Sequence, residues 1–179
     1  MAGRVLILFA HPAFQLSRAN RALADAVRDL EGVTFHDLYE LYPDLLVDVG
    51  HEQELLQSHD AIVLQHPFYW YSAPALVKEW LDLVLTHGWA YGDGGTALEG
   101  KTWLTAITCG GSESSYGGRG GNRWSVEEFL RPFEATAALC NMRWAPPFVV
   151  HASHLVTEAD LAGAAAKYRE QILALQRGA

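Results

Sequence analysis

Charge is scarce in this chain: Asp, Glu, Lys and Arg make up 19% of its 179 residues, below the roughly 25% of ordinary soluble domains. Basic residues are the scarcer sign, 13 against 21 acidic for a formal −8 at pH 7. That argues against a nucleic-acid surface, because affinity for a phosphate backbone comes from clustered Lys and Arg. No apolar run approaches the roughly 20 residues needed to span a bilayer. The opening MAGRVLILFA has one basic residue and only a short apolar stretch before His11, too short to read as a secretory leader. Two cysteines, Cys109 and Cys140, make no disulfide framework and suit a reducing cytosol. What is plentiful is apolar and aromatic surface: 50% hydrophobic residues, with seven Phe, seven Tyr and six Trp. A disordered chain has the opposite composition. The expectation is one acidic cytoplasmic domain spanning residues 1–179.

Familiar motifs are missing as well. The first candidate ligand loop, His11-Pro-Ala-Phe-Gln-Leu, has no glycine, which excludes both G-x-G-x-x-G and the nucleotide P-loop. Gly110-Gly111-Ser112-Glu113-Ser114 misses a nucleophile elbow because Ser114 stands where its last glycine belongs. His51-Glu52 opens like a zinc helix, but Leu55 takes the place of the second histidine. His151 and His154 have no third ligand nearby, so no metal is expected. A phosphorylated receiver domain needs an aspartate after its third strand, where this chain reads Gln65-His66-Pro67.

The segments alternate in type. Residues 4–10 form a continuous apolar run, as in a strand buried on both faces. Ala19, Ala22, Leu23, Ala26, Val27 and Leu30 trace one helix face, with Ser17 as N-cap and Gly32 past its end. Further strands are expected at 33–38, 61–65, 101–108 and 143–151, and helices at 49–59, 73–86, 126–140 and 158–176. Pro146-Pro147 puts the fifth strand at an edge, since proline cannot donate to a central ladder. The expected architecture is α/β: a five-stranded parallel sheet, order 2-1-3-4-5, with helices on both faces. Ligands of such sheets sit beyond the carboxyl ends of the strands, so the loops after strands one, three and four should converge.

Each loop has a functional and a bland reading. Backbone N–H groups of Ser17, Arg18 and Ala19, with the Ser17 hydroxyl and Asn20 amide, suit a phosphate at a helix N-terminus; Ser17 can equally be a simple cap, and His11 a core or loop histidine. After Pro67 come four consecutive aromatics, Phe68, Tyr69, Trp70 and Tyr71. Not all can be core; a planar ligand or a protein interface would use them. Thr108-Cys109-Gly110-Gly111 brings backbone amides near a ligand because glycine has no side chain, or it is a generic turn. Together the three suggest a flavin: phosphate cradle, aromatic platform, and amides that stabilise the negative charge of the reduced ring.

The runs His11-Pro12-x4-Ser17-x2-Asn20, Gln65-His66-Pro67-x2-Trp70-Tyr71-Ser72-x-Pro74-Ala75-Leu76-x-Lys78-x-Trp80-x-Asp82 and His87-Gly88-Trp89-Ala90-Tyr91-Gly92 resemble the flavodoxin-like NAD(P)H:quinone oxidoreductases. Asp37-Leu-Tyr-x-x-Tyr42-Pro-Asp44 and Leu130-Arg-Pro-Phe-Glu134 point within that family to the ancillary subunits of glutathione-gated potassium-efflux antiporters. The resemblance implies FMN, or FAD, with His11, Ser17, Arg18, Ala19 and Asn20 around the phosphate. It also implies Pro67 to Tyr71 along the ring and Thr108, Cys109, Gly110 and Gly111 at its pyrimidine end. It implies a homodimer with sites at the subunit interface. Tyr116 matches a tyrosine that balances charge on the reduced flavin, whereas Asn122 falls where the mammalian enzymes place a histidine. Cys109 replaces a threonine, as a buried inert thiol or a redox-active one.

Three functions follow from this. The first is a two-electron, ping-pong NAD(P)H:quinone oxidoreductase in which Trp70, Tyr71 and Tyr116 wall the catalytic pocket and the cofactor carries the chemistry. The second is an ancillary subunit that activates a membrane K+ efflux antiporter from its cytosolic face, with or without catalysis. The third is a flavodoxin-type electron carrier.

Overall fold

The computed structural model describes residues 2–178. Its centre is a parallel sheet in which β1 (Val5–Phe9) lies between β2 (Val33–Asp37) and β3 (Ala61–Pro67), and β4 (Thr102–Thr108) lies outside β3. The strand order 2-1-3-4-5 agrees with expectation. The edge differs. One fifth strand was expected over 143–151, but Pro146-Pro147 divides it into β5 (Arg143–Trp144) and β6 (Phe148–Val150), both paired with β4. Two successive residues without an N–H cannot continue a ladder, so a sixth strand replaces the tail of the fifth.

Alternation along the buried strands divides the core. Leu6, Leu8, Ile62 and Leu64 face one layer, where they meet Trp80 of α4 (Ala75–Val84) and Leu130 and Phe133 of α5 (Val126–Leu139). Val5, Ile7, Val63 and Leu104 face the other, against Leu23 and Val27 of α1 (Arg18–Val27) and Tyr168 and Ile172 of α6 (Glu158–Gly178). Adjacent residues of a strand point to opposite faces, so an unbroken apolar run serves both layers.

Two further helices complete the fold. α2 (Leu38–Leu41) is a single turn not anticipated from sequence. Asp37, the last residue of β2, starts it by accepting from the N–H groups of Tyr39 and Glu40. α3 (Val49–Gln57), expected to be merely polar, hides Glu52 completely. Its carboxylate accepts from His36 at 2.6 Å, Tyr42 at 2.6 Å and Trp80 at 2.7 Å. Burial pushes the Glu52 carboxyl up, but the hydrogen bonds from His36 and Tyr42 outweigh it and leave the group below its ordinary value. A buried charge is tolerated only when its lone pairs are satisfied, and these three donors fasten α3 to β2, to the end of α2 and to α4.

Candidate flavin-binding site

The carboxyl ends of β1, β3 and β4 bring the three loops together around two adjoining cavities. The larger, about 560 Å³, is lined by His11, Ser17, Arg18, Ala19, Pro67, Phe68, Tyr69, Thr108 and Gly110. The smaller, about 310 Å³, shares Phe68 and Gly110 and adds Trp70, Tyr71, Gly111, Tyr116 and Asn122. Small-molecule sites commonly occupy about 300–1,000 Å³.

At the N-terminus of α1, a 3-10 turn at Phe14–Leu16 leads into the helix. The Ser17 N–H closes that turn on the Phe14 carbonyl at 3.0 Å, so it is not the free donor expected from sequence. The N–H groups of Arg18 and Ala19 have no backbone partner among the described residues, as the first turn of a helix requires. Ser17 Oγ accepts from Asn20 N at 3.2 Å and Asn20 Nδ2 at 3.1 Å, which leaves its own hydroxyl proton to a ligand. His11 Nδ1 accepts from the Ala13 N–H at 3.0 Å. Burial lowers the His11 pKa, so a neutral ring keeps its proton on Nε2, where it is a donor. The Arg18 guanidinium bonds Glu158 at 2.5 Å, an exposed ion pair of little energetic weight.

The aromatic loop turns sharply. Trp70 (φ 49°) and Tyr71 (φ 62°) are both left-handed, a conformation costing bulky L-residues about 1–2 kcal/mol each. Local strain of this kind gathers at functional sites. The turn leaves Phe68 half-buried with its N–H on the Thr108 carbonyl at 3.0 Å, while Trp70 stands 92% exposed. Tyr71 stacks on Phe129 at 4.9 Å and donates to Asn122 Oδ1 at 3.1 Å.

At the third loop, Gly110 borders both cavities, and a Cβ built there would meet nothing within 4 Å. A Cβ on Gly111 would come 3.2 Å from the Tyr116 ring. Burial holds Tyr116 up at about 12 and the Cys109 thiol at about 11. Both are therefore neutral at physiological pH, and Cys109 lacks the thiolate that reactive cysteines need.

All three expected loops thus meet, but two expected residues are not wall residues. Asn20 is buried behind the cradle, and the Cys109 side chain is buried rather than lining either cavity. A fourth segment was missed: Ala13 and Leu16 from the first loop are joined by Ser153 and His154, which follow β6. The signal was available, since this turn also leaves the carboxyl end of a strand at the sheet's active edge.

A flavin fits these residues. The cradle has two spare backbone donors at a helix N-terminus and the uncommitted hydroxyl proton of Ser17. The platform has aromatic edges, and a glycine opens the third wall.

Comparison with known proteins agrees. The model for proteins of flavodoxin-like fold matches residues 3–172. The chain is 50% identical over 167 residues, covering 93% of itself and 91% of the relative, to the glutathione-regulated potassium-efflux system ancillary protein KefG of Pectobacterium carotovorum. Among solved structures it resembles general stress protein 14 of Treponema denticola in complex with FMN (TM-score 0.91, 41% identity, covering 97% of this chain and 99% of that one). It also resembles an NADPH-quinone reductase from P. pentosaceus (TM-score 0.87, 32% identity, covering 94% and 96%). The chain belongs to the flavodoxin-like family of NAD(P)H:quinone oxidoreductases and their potassium-efflux ancillary relatives.

Proposed function

We propose that this protein binds FMN in the cleft formed by the three loops and works as a two-electron NAD(P)H:quinone oxidoreductase. The observation carrying this reading is the meeting of a helix N-terminus with spare donors, an aromatic turn and a glycine-lined wall around adjoining cavities. When bound there, FMN would supply two-electron hydride chemistry linking NAD(P)H to a quinone, the second proton of the hydroquinone coming from solvent.

The chain's own residues bind and orient. Arg18 and Ala19 N–H, Ser17 Oγ and His11 Nε2 would hold the phosphate, with the helix dipole favouring its charge. Phe68 and Tyr69 line the ring, and Trp70 and Tyr71 shelter the guest that stacks on it. Gly110 and Gly111 allow main-chain amides close approach to the pyrimidine edge. Tyr116, kept protonated, offers a hydroxyl donor where negative charge gathers, an arrangement worth more in a site that excludes water. The exposed Trp70 and Trp124 (92% and 52%) favour a second copy of the chain completing the pocket, because large aromatics are enriched at interfaces.

The test is anaerobic titration of the FMN-loaded protein with NADH and NADPH separately, followed by a benzoquinone. Bleaching by a nicotinamide and recolouring by quinone, with turnover to match, support the reading; a flavin that neither nicotinamide reduces refutes it.

A second reading rests on the 50% identity to the potassium-efflux ancillary protein. Under it the protein docks on the cytosolic face of an antiporter and activates K+ efflux. No helix among the described residues is long and apolar enough to cross a membrane, so a partner would supply any membrane attachment. Co-purification with the antiporter and restored efflux in cells lacking their own subunit support this reading; absence of both refutes it.

A further inference from the structure

The turn after β6 is tied to the Gly-Gly loop at three points. Cys109 N–H donates to the Val150 carbonyl at 2.8 Å, Ser153 N–H to the Cys109 carbonyl at 2.9 Å, and Ala152 N–H to the Gly111 carbonyl at 2.9 Å. Ala152 takes a left-handed φ of 48° to make this possible. The residue fixed between these bonds is His151. Its ring centre lies 5.7 Å from that of Tyr116 at a tilt of 49°. Its Nδ1 is buried with no hydrogen-bond partner among the described residues. The other rings packed on Tyr116 are Phe68 at 6.2 Å and Phe129 at 6.4 Å, so the imidazole is the polar ring among those three, beside the Cys109 thiol and the Gly111 main chain that also face the phenol.

A buried nitrogen left without a partner weakens folding and needs a reason. His151 lines neither cavity, so any effect on a ligand passes through Tyr116. We infer that His151 is a positioning residue for Tyr116, holding the phenol against the pyrimidine end of a bound flavin and supplying the polar neighbour that favours the flavin's two-electron reduced form. Asn122 does not serve this purpose, because it is engaged with the Tyr71 hydroxyl.

The physical basis is differential. Reduction places negative charge near Tyr116, and a polar, reorientable ring behind the donor stabilises that charge more than it stabilises the neutral oxidised ring. A phenyl ring of similar shape would keep the packing and lose this effect.

The inference rests on the flavin reading, and the experiment separates their failures. The midpoint potential of bound FMN is measured by equilibration with a reference dye in the parent protein, His151→Phe, Tyr116→Phe and the double variant. His151→Phe should weaken the preference for reduced over oxidised flavin about tenfold, which for a two-electron couple is a shift of about 30 mV to more negative potential. In the Tyr116→Phe background the same change should have little effect, since the coupling runs through the phenol. His151→Gln, which keeps a polar group, should recover part of the shift and provides a second variant if the phenyl ring is poorly accommodated. A parent protein that binds no FMN overturns the function and this inference together. A parent that binds FMN, with the potential of both His151 variants unchanged or the shift equally large without the Tyr116 hydroxyl, overturns the inference alone.

Discussion

Asn20 Nδ2 donates to Thr108 Oγ1 at 2.8 Å, joining residues 88 positions apart in the chain. The bond links the first turn of α1 to the end of β4, so the helix N-terminus and the glycine loop hold a fixed spacing. Such preorganisation lowers the ordering cost of binding.

Asn20→Ala should therefore damage stability and binding together. Ser17 and Thr108 each lose a buried partner, which costs about 1–3 kcal/mol. FMN affinity should fall as the cradle loosens. Thermal unfolding with and without FMN measures both, and the stabilisation conferred by the ligand should shrink relative to the parent.

Gly111→Val tests the third wall. The new Cβ would lie 3.2 Å from the Tyr116 ring, forcing the phenol to move. Because Gly111 is not among the left-handed glycines, the backbone can accept a side chain and the fold should survive. Calorimetry should show FMN bound at least about tenfold more weakly, a loss of about 1.4 kcal/mol.

Trp70→Gly should trade function for stability. Glycine removes the left-handed strain and exposes less apolar surface, so the unfolding free energy should rise by about 1 kcal/mol. The quinone kcat/KM should fall, because the ring that shelters the guest is gone. Denaturant melts and steady-state kinetics read the two effects separately.

Glu52 predicts an acid-sensitive fold. Its folded value lies below the ordinary 4.5, so its stabilisation is complete above that value and is lost as pH falls through the depressed one. Glu52→Gln should cost about 2 kcal/mol near neutrality, the scale of hydrogen bonds to a charged group. It should also flatten the loss of stability in acid. Urea melts from neutral pH down into the carboxylate range check the sign.

Much of this fold was legible because β1 and the first four residues of β3 are unbroken apolar runs and β4 interrupts its own only with threonine, as strands buried on both faces do. The three loops were legible because their residue types are unusual where strands end. What escaped depends on partners far away in sequence. The buried state of Glu52 is decided by His36, Tyr42 and Trp80. The fate of the Ser17 N–H is decided by a 3-10 turn too short to show a period. Pro146-Pro147 marked an edge, but the register that restarts β6 opposite Ala106 had no local signature.

The most direct test of the central claim is calorimetric titration of the apoprotein with FMN. The account predicts saturable binding of one FMN per chain at micromolar affinity or tighter, weakened by Gly111→Val. A flat titration, or binding that the Gly111 substitution leaves untouched, would contradict it.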